Sequence, residues 1–198
     1  MIQHSMLSHY ISEKSKVLDL GCGNGELLKY LMTEKKCIGY GIDIEIKNIV
    51  SCIEKKIGVF QGDLNDGLQG FSDQSYDVVV LSLTLQQIKT PEFLIQEMLR
   101  VGKKVIITFP NFAHFKCRLQ FLLGKAPKNK SLPYAWYNTP NIRVVTVKDF
   151  KNLCQEMGFK IETEIPLYGT PFMEKIMPKC LSNLWCENAL FILKKETL

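Results

Sequence analysis

The glycine-rich stretch near the N-terminus constrains the fold of this chain most strongly. Residues 17–20 form a short run that is apolar except for Asp19 and is too short for a helix, and Gly21, Gly23 and Gly25 follow at alternate positions. A helix-like pattern of apolar residues begins directly after Gly25 and continues to residue 31. This order predicts a strand, a tight turn and a helix. Glycines that admit positive φ and a helix N-terminus with free N–H groups can together cradle a nucleotide-type ligand.

The spacing of the glycines narrows the class of ligand. A dinucleotide fingerprint needs a third glycine where Glu26 stands, and a phosphate-binding P-loop needs a Gly-Lys-Ser or Gly-Lys-Thr sequence that is absent. The pattern Gly21-x-Gly23-x-Gly25 preceded by Asp19 instead resembles the first motif of class I S-adenosylmethionine (SAM) methyltransferases. Taken alone, the motif is also compatible with a plain turn.

Acidic residues follow the next two predicted strands. Asp43 ends the second strand, about twenty residues after the first glycine, where nucleotide-binding α/β folds place a carboxylate that accepts bonds from the ribose hydroxyls. Asp63 follows the third strand, residues 58–61. In the methyltransferase fold an Asp at this position binds the adenine amino group, and the backbone N–H of the next residue, here Leu64, binds a ring nitrogen. Asp43 could also be a helix cap or loop carboxylate, and Asp63 a turn residue. Signals after three successive strands together favour SAM binding.

The candidate SAM-binding residues come from the glycine turn, from the acids and from their neighbours at the predicted strand ends. They are Asp19, Gly21, Cys22, Gly23, Gly25, Asp43, Ile44, Asp63, Leu64 and Leu81. The expected cofactor is SAM or its product S-adenosylhomocysteine. No metal ligand is predicted, because the seven cysteines are scattered, include no C-x-x-C pair and have no histidine at metal spacing.

The fourth predicted strand and the residues after it carry no recognisable catalytic group. Residues 76–82 are apolar without alternation, as in a central parallel strand covered on both faces. Gln86 and Gln87 then stand where small-molecule methyltransferases often carry a histidine or an acid, and a glutamine cannot act as a base near neutral pH. Signature motifs of nucleobase methyltransferases are also missing. We therefore assign no catalytic residue.

The remaining pattern predicts a Rossmann-like α/β fold. Further strands at 104–109, 159–167 and 189–194 complete a mostly parallel seven-stranded sheet with an antiparallel C-terminal strand and helices on both faces. A proline-containing excursion separates the last two strands. We expect one methyltransferase-like domain over residues 1–198, with an insertion at about 125–145. A helix over 112–124 has an apolar stripe that we expect to be core: Phe115, Leu119, Leu122 and Leu123.

The insertion is the least regular part of the chain. Residues 126–143 contain three prolines and the cluster Tyr134, Trp136, Tyr137 and Asn138. Long ordered loops with exposed Tyr and Trp often bind a substrate or a partner. The alternative is that these aromatic side chains pin the loop to the body of the domain.

Charge and hydropathy limit the classes of partner. The formal net charge of +5 and the pI of about 8.7 are modest for a dedicated nucleic-acid-binding protein. Neither a signal-peptide core nor an apolar stretch of membrane-spanning length is present, so we expect a cytoplasmic protein that binds neither nucleic acid nor membrane.

Five segments of the chain match a known family pattern: VLDLGCGNGELL (17–28), GYG (39–41), EMLRVG (97–102), TFPNF (108–112) and LPYAWYNTPNI (132–142). Through them the chain resembles, over nearly its whole length, the MetW family of bacterial methionine-biosynthesis proteins, and the last segment is specific to that family. The sequence departs from the family pattern at Asp43, Leu83, Gln87 and Arg143, where a Glu, a Gln, a small residue and a His are usual.

The resemblance implies a class I methyltransferase-like fold and a role in methionine biosynthesis. It also implies a functional partner, homoserine O-acyltransferase of the MetX type. Two hypotheses follow: an accessory or regulatory subunit of that acyltransferase, or a catalytic SAM-dependent methyltransferase that acts on a small molecule. The first is favoured by the missing base and by the aromatic loop.

Overall fold

Strands and helices alternate along the part of the chain that the structure, a computed structural model, describes: residues 4–170 and 177–195. The strands are β1 Lys16–Leu20, β2 Ile38–Asp43, β3 Gly58–Gln61, β4 Tyr76–Ser82, β5 Gly102–Pro110, β6 Lys160–Leu167 and β7 Asn188–Lys194. The helices are α1 His4–Ser8, α2 Glu26–Glu34, α3 Ile46–Glu54, α4 Pro91–Val101, α5 Phe115–Leu122, α6 Val147–Glu156 and α7 Ser182–Trp185. Short 3₁₀ turns lie at Leu64–Asp66, Leu85–Gln87 and Lys179–Leu181.

The seven described strands form one sheet in the order β3-β2-β1-β4-β5-β7-β6. Strands β1 to β5 run parallel to one another, whereas β7 is antiparallel to both β5 and β6. This topology confirms the predicted Rossmann-like fold. Because β3, β2, β1 and β4 are parallel neighbours, their carboxyl ends meet at one edge of the sheet, where such folds bind ligands.

The sheet is covered on both faces. In β4, Val78 and Val80 belong to one buried cluster with α2, and Val79 and Leu81 belong to another with α4 and α6. The continuous apolar run in the sequence reflects this double burial. Helix α6 is capped by Thr146, whose hydroxyl oxygen accepts a hydrogen bond from the N–H of Asp149 (3.1 Å).

One prediction about the core is wrong. Helix α5 is shorter than expected, and its stripe is largely exposed: Leu119 by 53%, Leu122 by 84% and Leu123 by 64%. Its fully buried residue is Cys117, while Phe115 packs on Trp185 with a ring-centroid distance of 4.9 Å. Most of the stripe therefore faces solvent rather than the core.

Shorter segments flank the central strands. Helix α1 precedes β1, and Leu7 and Ile11 are buried in one apolar cluster with residues of α2. The proline-containing excursion falls partly on residues 171–176, outside the described residues; its last part forms α7. Within the described ranges, we find no helix with the length and apolarity needed to cross a bilayer.

The glycine turn between β1 and α2 is fastened to the rest of the sheet. The N–H groups of Gly21 and Cys22 both donate to the carbonyl oxygen of Ile42, at 2.8 and 3.1 Å. Gly21 has φ +68°, and a Cβ built on it would lie 2.7 Å from the hydroxyl oxygen of Thr84. Gly23 has φ +55°, but a Cβ there would meet nothing within 4 Å. The first glycine therefore fits against protein, and the second faces open space.

This difference predicts unequal effects of two matched substitutions. Gly21→Ala should lower the free energy of unfolding by about 2–5 kcal/mol, because a left-handed alanine costs about 1–2 kcal/mol and overpacking against Thr84 about 1–3 kcal/mol. Gly23→Ala should cost only the first amount, about 1–2 kcal/mol. Urea denaturation of both variants and the parent measures the difference; equal destabilisation would contradict the packing described for Gly21.

Candidate functional site

The glycine turn and the end of β2 are joined by one carboxylate. Asp43 Oδ2 accepts a hydrogen bond from the N–H of Gly23 at 2.8 Å. Its Oδ1 accepts from the N–H of Glu45 at 2.9 Å and from the side-chain amide of Asn48 at 3.0 Å. Asp43 is only 7% exposed. Asp43 thus ties the turn after β1 to the start of α3. This contact fits the interpretation of Asp43 as a loop carboxylate. Its binding to the ribose stays a prediction.

Asp19 lies close enough to Asp43 to feel its charge, and its pKa is shifted. It is 2% exposed on the central strand β1, opposite Gly41 of β2, which has no side chain. Within the described ranges, no hydrogen-bond donor reaches its carboxylate. Burial first, and the negative charge of Asp43 second, raise its pKa to about 7. Near neutral pH the carboxyl is therefore half ionised, and a cation placed close to it would be bound favourably.

The third acid starts a turn. Asp63 Oδ1 accepts hydrogen bonds from the backbone N–H of Asn65 (2.9 Å) and from its side-chain amide (2.7 Å), which opens the 3₁₀ turn after β3. The turn-residue interpretation is therefore correct. A role at adenine stays a prediction for Asp63, which lies at the same sheet edge as Asp43 but makes no described contact with it.

The other candidates differ in what they can offer a ligand. Leu64 and Leu81 are buried in the same apolar cluster, so only their backbone groups are available. Ile44 is 56% exposed. Burial also raises the pKa of the Cys22 thiol, which lies under the turn and close to Cys52. That thiol is therefore neutral and belongs to the packing of the turn.

The segment after β4 links the glycine turn to the long loop. Leu83 adopts φ +55°, and its N–H donates to the carbonyl oxygen of Thr108 at 2.9 Å. Gln86 is 4% exposed; its side-chain amide donates to the carbonyl oxygen of Leu83 at 2.6 Å. The carbonyl oxygen of Gln86 accepts from the N–H groups of Ile142 (2.9 Å) and Arg143 (3.0 Å). Gln86 thus anchors the loop.

A buried histidine that the sequence analysis did not single out lies near the carboxyl end of β5. His114 is 3% exposed, and its Nδ1 accepts a hydrogen bond from the N–H of Lys116 at 3.3 Å as the cap of α5. Burial lowers its pKa, so the ring is neutral at neutral pH. With Nδ1 accepting, the proton sits on Nε2, and neither nitrogen has a free lone pair. In the sequence His114 falls inside the helix predicted over 112–124, so no local pattern indicates that it caps a helix.

The long loop is held by residues other than its aromatic cluster. Residues 123–146 contain no helix or strand. Leu132 is 3% exposed, whereas Trp136 and Tyr137 are 78% and 74% exposed. Tyr134 is 47% exposed, and the side-chain oxygen of Asn138 accepts a hydrogen bond from the N–H of Ala135 at 3.0 Å. The alternative in which the aromatic side chains pin the loop is therefore wrong.

The fold is shared with known methyltransferases. A SAM-dependent methyltransferase from Mesorhizobium loti is 15% identical, with a TM-score of 0.71 over 96% of each chain. Phosphoethanolamine N-methyltransferase 2 from Haemonchus contortus, solved in complex with S-adenosyl-L-methionine, is 14% identical, with a TM-score of 0.68 over 98% of this chain and 52% of that one. At these identities the similarity shows the fold alone.

Sequence comparison identifies the family. A bifunctional methionine biosynthesis protein MetXA/MetW from Rhodopirellula baltica is 32% identical over 205 aligned residues, which cover 98% of this chain. This chain spans about a third of the length of that relative, 33%. The family model of methionine biosynthesis protein MetW matches residues 2–193. With that match over almost its whole length and a SAM methyltransferase-like fold, the chain belongs to the MetW family of methionine biosynthesis proteins.

Proposed function

We propose that this chain binds SAM above its glycine turn and acts as an accessory or regulatory partner of a MetX-type homoserine O-acyltransferase. The observation that carries the proposal is the bifunctional MetXA/MetW relative, in which both names belong to one protein. The present chain matches only 33% of that relative, so most of its length is available to the MetXA part. Fusion of two parts in one chain is typical of proteins that work together.

The charges of the site support SAM as the ligand. SAM carries an ammonium and a sulfonium cation, and Asp19 is a buried carboxylate without a described donor. A cation next to it would offset the desolvation of the ionised form and the repulsion from Asp43. The open space above Gly23 leaves room for a ligand against the backbone of the turn.

The remaining candidates would hold the nucleoside. A carboxylate has about four lone-pair positions, and Asp43 uses three of them for protein donors, so at least one stays available to a ribose hydroxyl. Asp63 keeps its second oxygen for the adenine amino group, and the backbone of Leu64 would meet the ring. Cys22, Gly21, Gly25, Ile44 and Leu81 would shape the crevice.

Two contacts favour an accessory role over catalysis. The amide of Gln86 is bonded to Leu83, and the lone pair of His114 is used to cap α5. Neither residue is available as a base. Methyl transfer from bound SAM needs mainly an aligned nucleophile, so turnover of labelled SAM with a panel of metabolites remains the direct test of the catalytic alternative.

The raised pKa of Asp19 predicts a pH dependence of SAM binding. SAM should bind the ionised carboxylate, so lowering the pH from about 7 to about 5.5 should weaken binding by roughly tenfold as Asp19 is protonated. The amino group of SAM stays protonated in this range. Calorimetry at both pH values measures the change. Asp19→Asn, which cannot ionise, should bind more weakly at pH 7 and show a flat profile; a parental profile in that variant would contradict the role of Asp19.

The partnership predicts a complex between two purified proteins. Mixing the chain with the MetX-type acyltransferase of the same genome should give a species of larger mass in sedimentation velocity and change the rate at which acyl-homoserine forms. An unrelated basic protein of similar size is the control. If neither a complex nor a change in rate is observed, the accessory function is wrong.

A further inference from the structure

One surface of the chain combines strong positive charge with exposed apolar side chains. We call it the basic platform and define it as α5 together with the loop that follows, residues 115–144. No acidic residue occurs anywhere between Glu97 and Asp149. The platform has six basic residues, all of them exposed: Lys116, Arg118, Lys125, Lys128, Lys130 and Arg143. Because the whole chain has a formal charge of +5, the rest of the chain has a formal charge of −1.

The same surface carries half of the large exposed hydrophobic residues in the described ranges, nine of eighteen. These are Leu119, Phe121, Leu122, Leu123, Tyr134, Trp136, Tyr137, Ile142 and Val144. Scattered exposed apolar residues are normal, but a concentration within 26 residues of sequence is typical of an interaction surface. Trp, Tyr and Arg, all present here, are also the residues in which binding hot spots are enriched.

The loop of the platform is ordered by its own hydrogen bonds. The side chain of Gln120 is bonded to both the N–H (2.7 Å) and the carbonyl (3.2 Å) of Lys128. Asn129 Oδ1 accepts from the N–H groups of Ser131 (2.8 Å) and Leu132 (2.9 Å). These bonds hold the loop while its aromatic side chains stay exposed. A partner that binds here would therefore lose little free energy in ordering the loop.

A groove of about 580 Å³ runs between α5 and the loop. The residues that line it include the apolar Phe121, Leu132 and Trp136 and the basic Lys125 and Arg143. Apolar side chains of a partner would fit between these walls, with acidic side chains against the two cations.

We propose that the basic platform is the surface that docks the MetX-type acyltransferase, through an acidic and apolar face of that enzyme; this inference rests on the proposed function. Charge complementarity selects an acidic partner. A second copy of this chain is disfavoured, because a symmetric contact would bring two predominantly basic surfaces together; only Lys116 is paired, with Glu187 at 3.7 Å, among the described ion pairs of the platform. Twenty of the thirty platform residues are exposed, close to the 20–30 that each partner contributes to an interface of standard size.

Matched variants of the full-length chain test the docking surface. Trp136→Ala removes the most exposed aromatic side chain of the platform, and Lys125→Glu with Lys128→Glu reverses the local charge. Ile53→Ala and Lys29→Glu are the controls, since both residues are exposed on helices away from the platform. The Kd of each variant for the acyltransferase is measured by biolayer interferometry at two salt concentrations, after circular dichroism has verified its fold.

Each platform variant should raise the Kd of the complex by about tenfold or more. The effect of the charge reversal should be greatest at low salt. Each control should change the Kd by less than about twofold. If the parent binds and the platform variants bind equally well, the docking surface is wrong and the proposed function stands. If the parent does not bind, both fail. If the platform variants instead lose binding to anionic phosphatidylglycerol vesicles or to a DNA duplex and keep the acyltransferase, the surface serves another class of partner and the proposal is overturned.

Discussion

The hydrogen bond between the carboxylate of Asp43 and the N–H of Gly23 joins the two halves of the site. Through it the end of β2 positions the turn after β1, and both then lie at the carboxyl edge of the sheet. Its electrostatic consequence is equally important, because the charge of Asp43 adds to burial in raising the pKa of Asp19. A protein that keeps a buried carboxyl half ionised beside a second carboxylate has a site in which a cation would be stabilised.

Much of the fold could be predicted from the sequence because local pattern and burial agree there. The strand from Tyr76 to Ser82 contains the continuous apolar run 78–81, which is buried on both faces of the sheet, and the glycines stand where positive φ is required. The stripe of α5 shows the limit of this reasoning. Periodicity identifies which residues share a face, but whether another layer covers that face depends on where the helix ends up relative to the sheet.

The site could be predicted only in part, for a similar reason. Asp43 and Asp63 were recognised from their positions after strands, yet their turn contacts come from donors whose location only the folded chain determines. Gln86 stands where the sequence suggests a catalytic group, whereas in the structure its backbone carbonyl accepts hydrogen bonds from the N–H groups of Ile142 and Arg143.

One short segment connects the two proposed sites. Thr84 packs on Gly21, and Gln86 holds the loop of the basic platform, so one short segment touches both the proposed SAM site and the proposed docking surface. If the two sites influence each other, the effect must be reciprocal.

Isothermal titration calorimetry with SAM and with S-adenosylhomocysteine, in the absence and in the presence of saturating acyltransferase, tests the central claim most directly. We expect the free chain to bind SAM. We expect the Kd of the complex for SAM to differ from that of the free chain by about fivefold or more, which is the lower end of typical allosteric coupling. If neither SAM nor S-adenosylhomocysteine binds, with or without the acyltransferase, the claim that the glycine turn and its two acids form a SAM site is wrong.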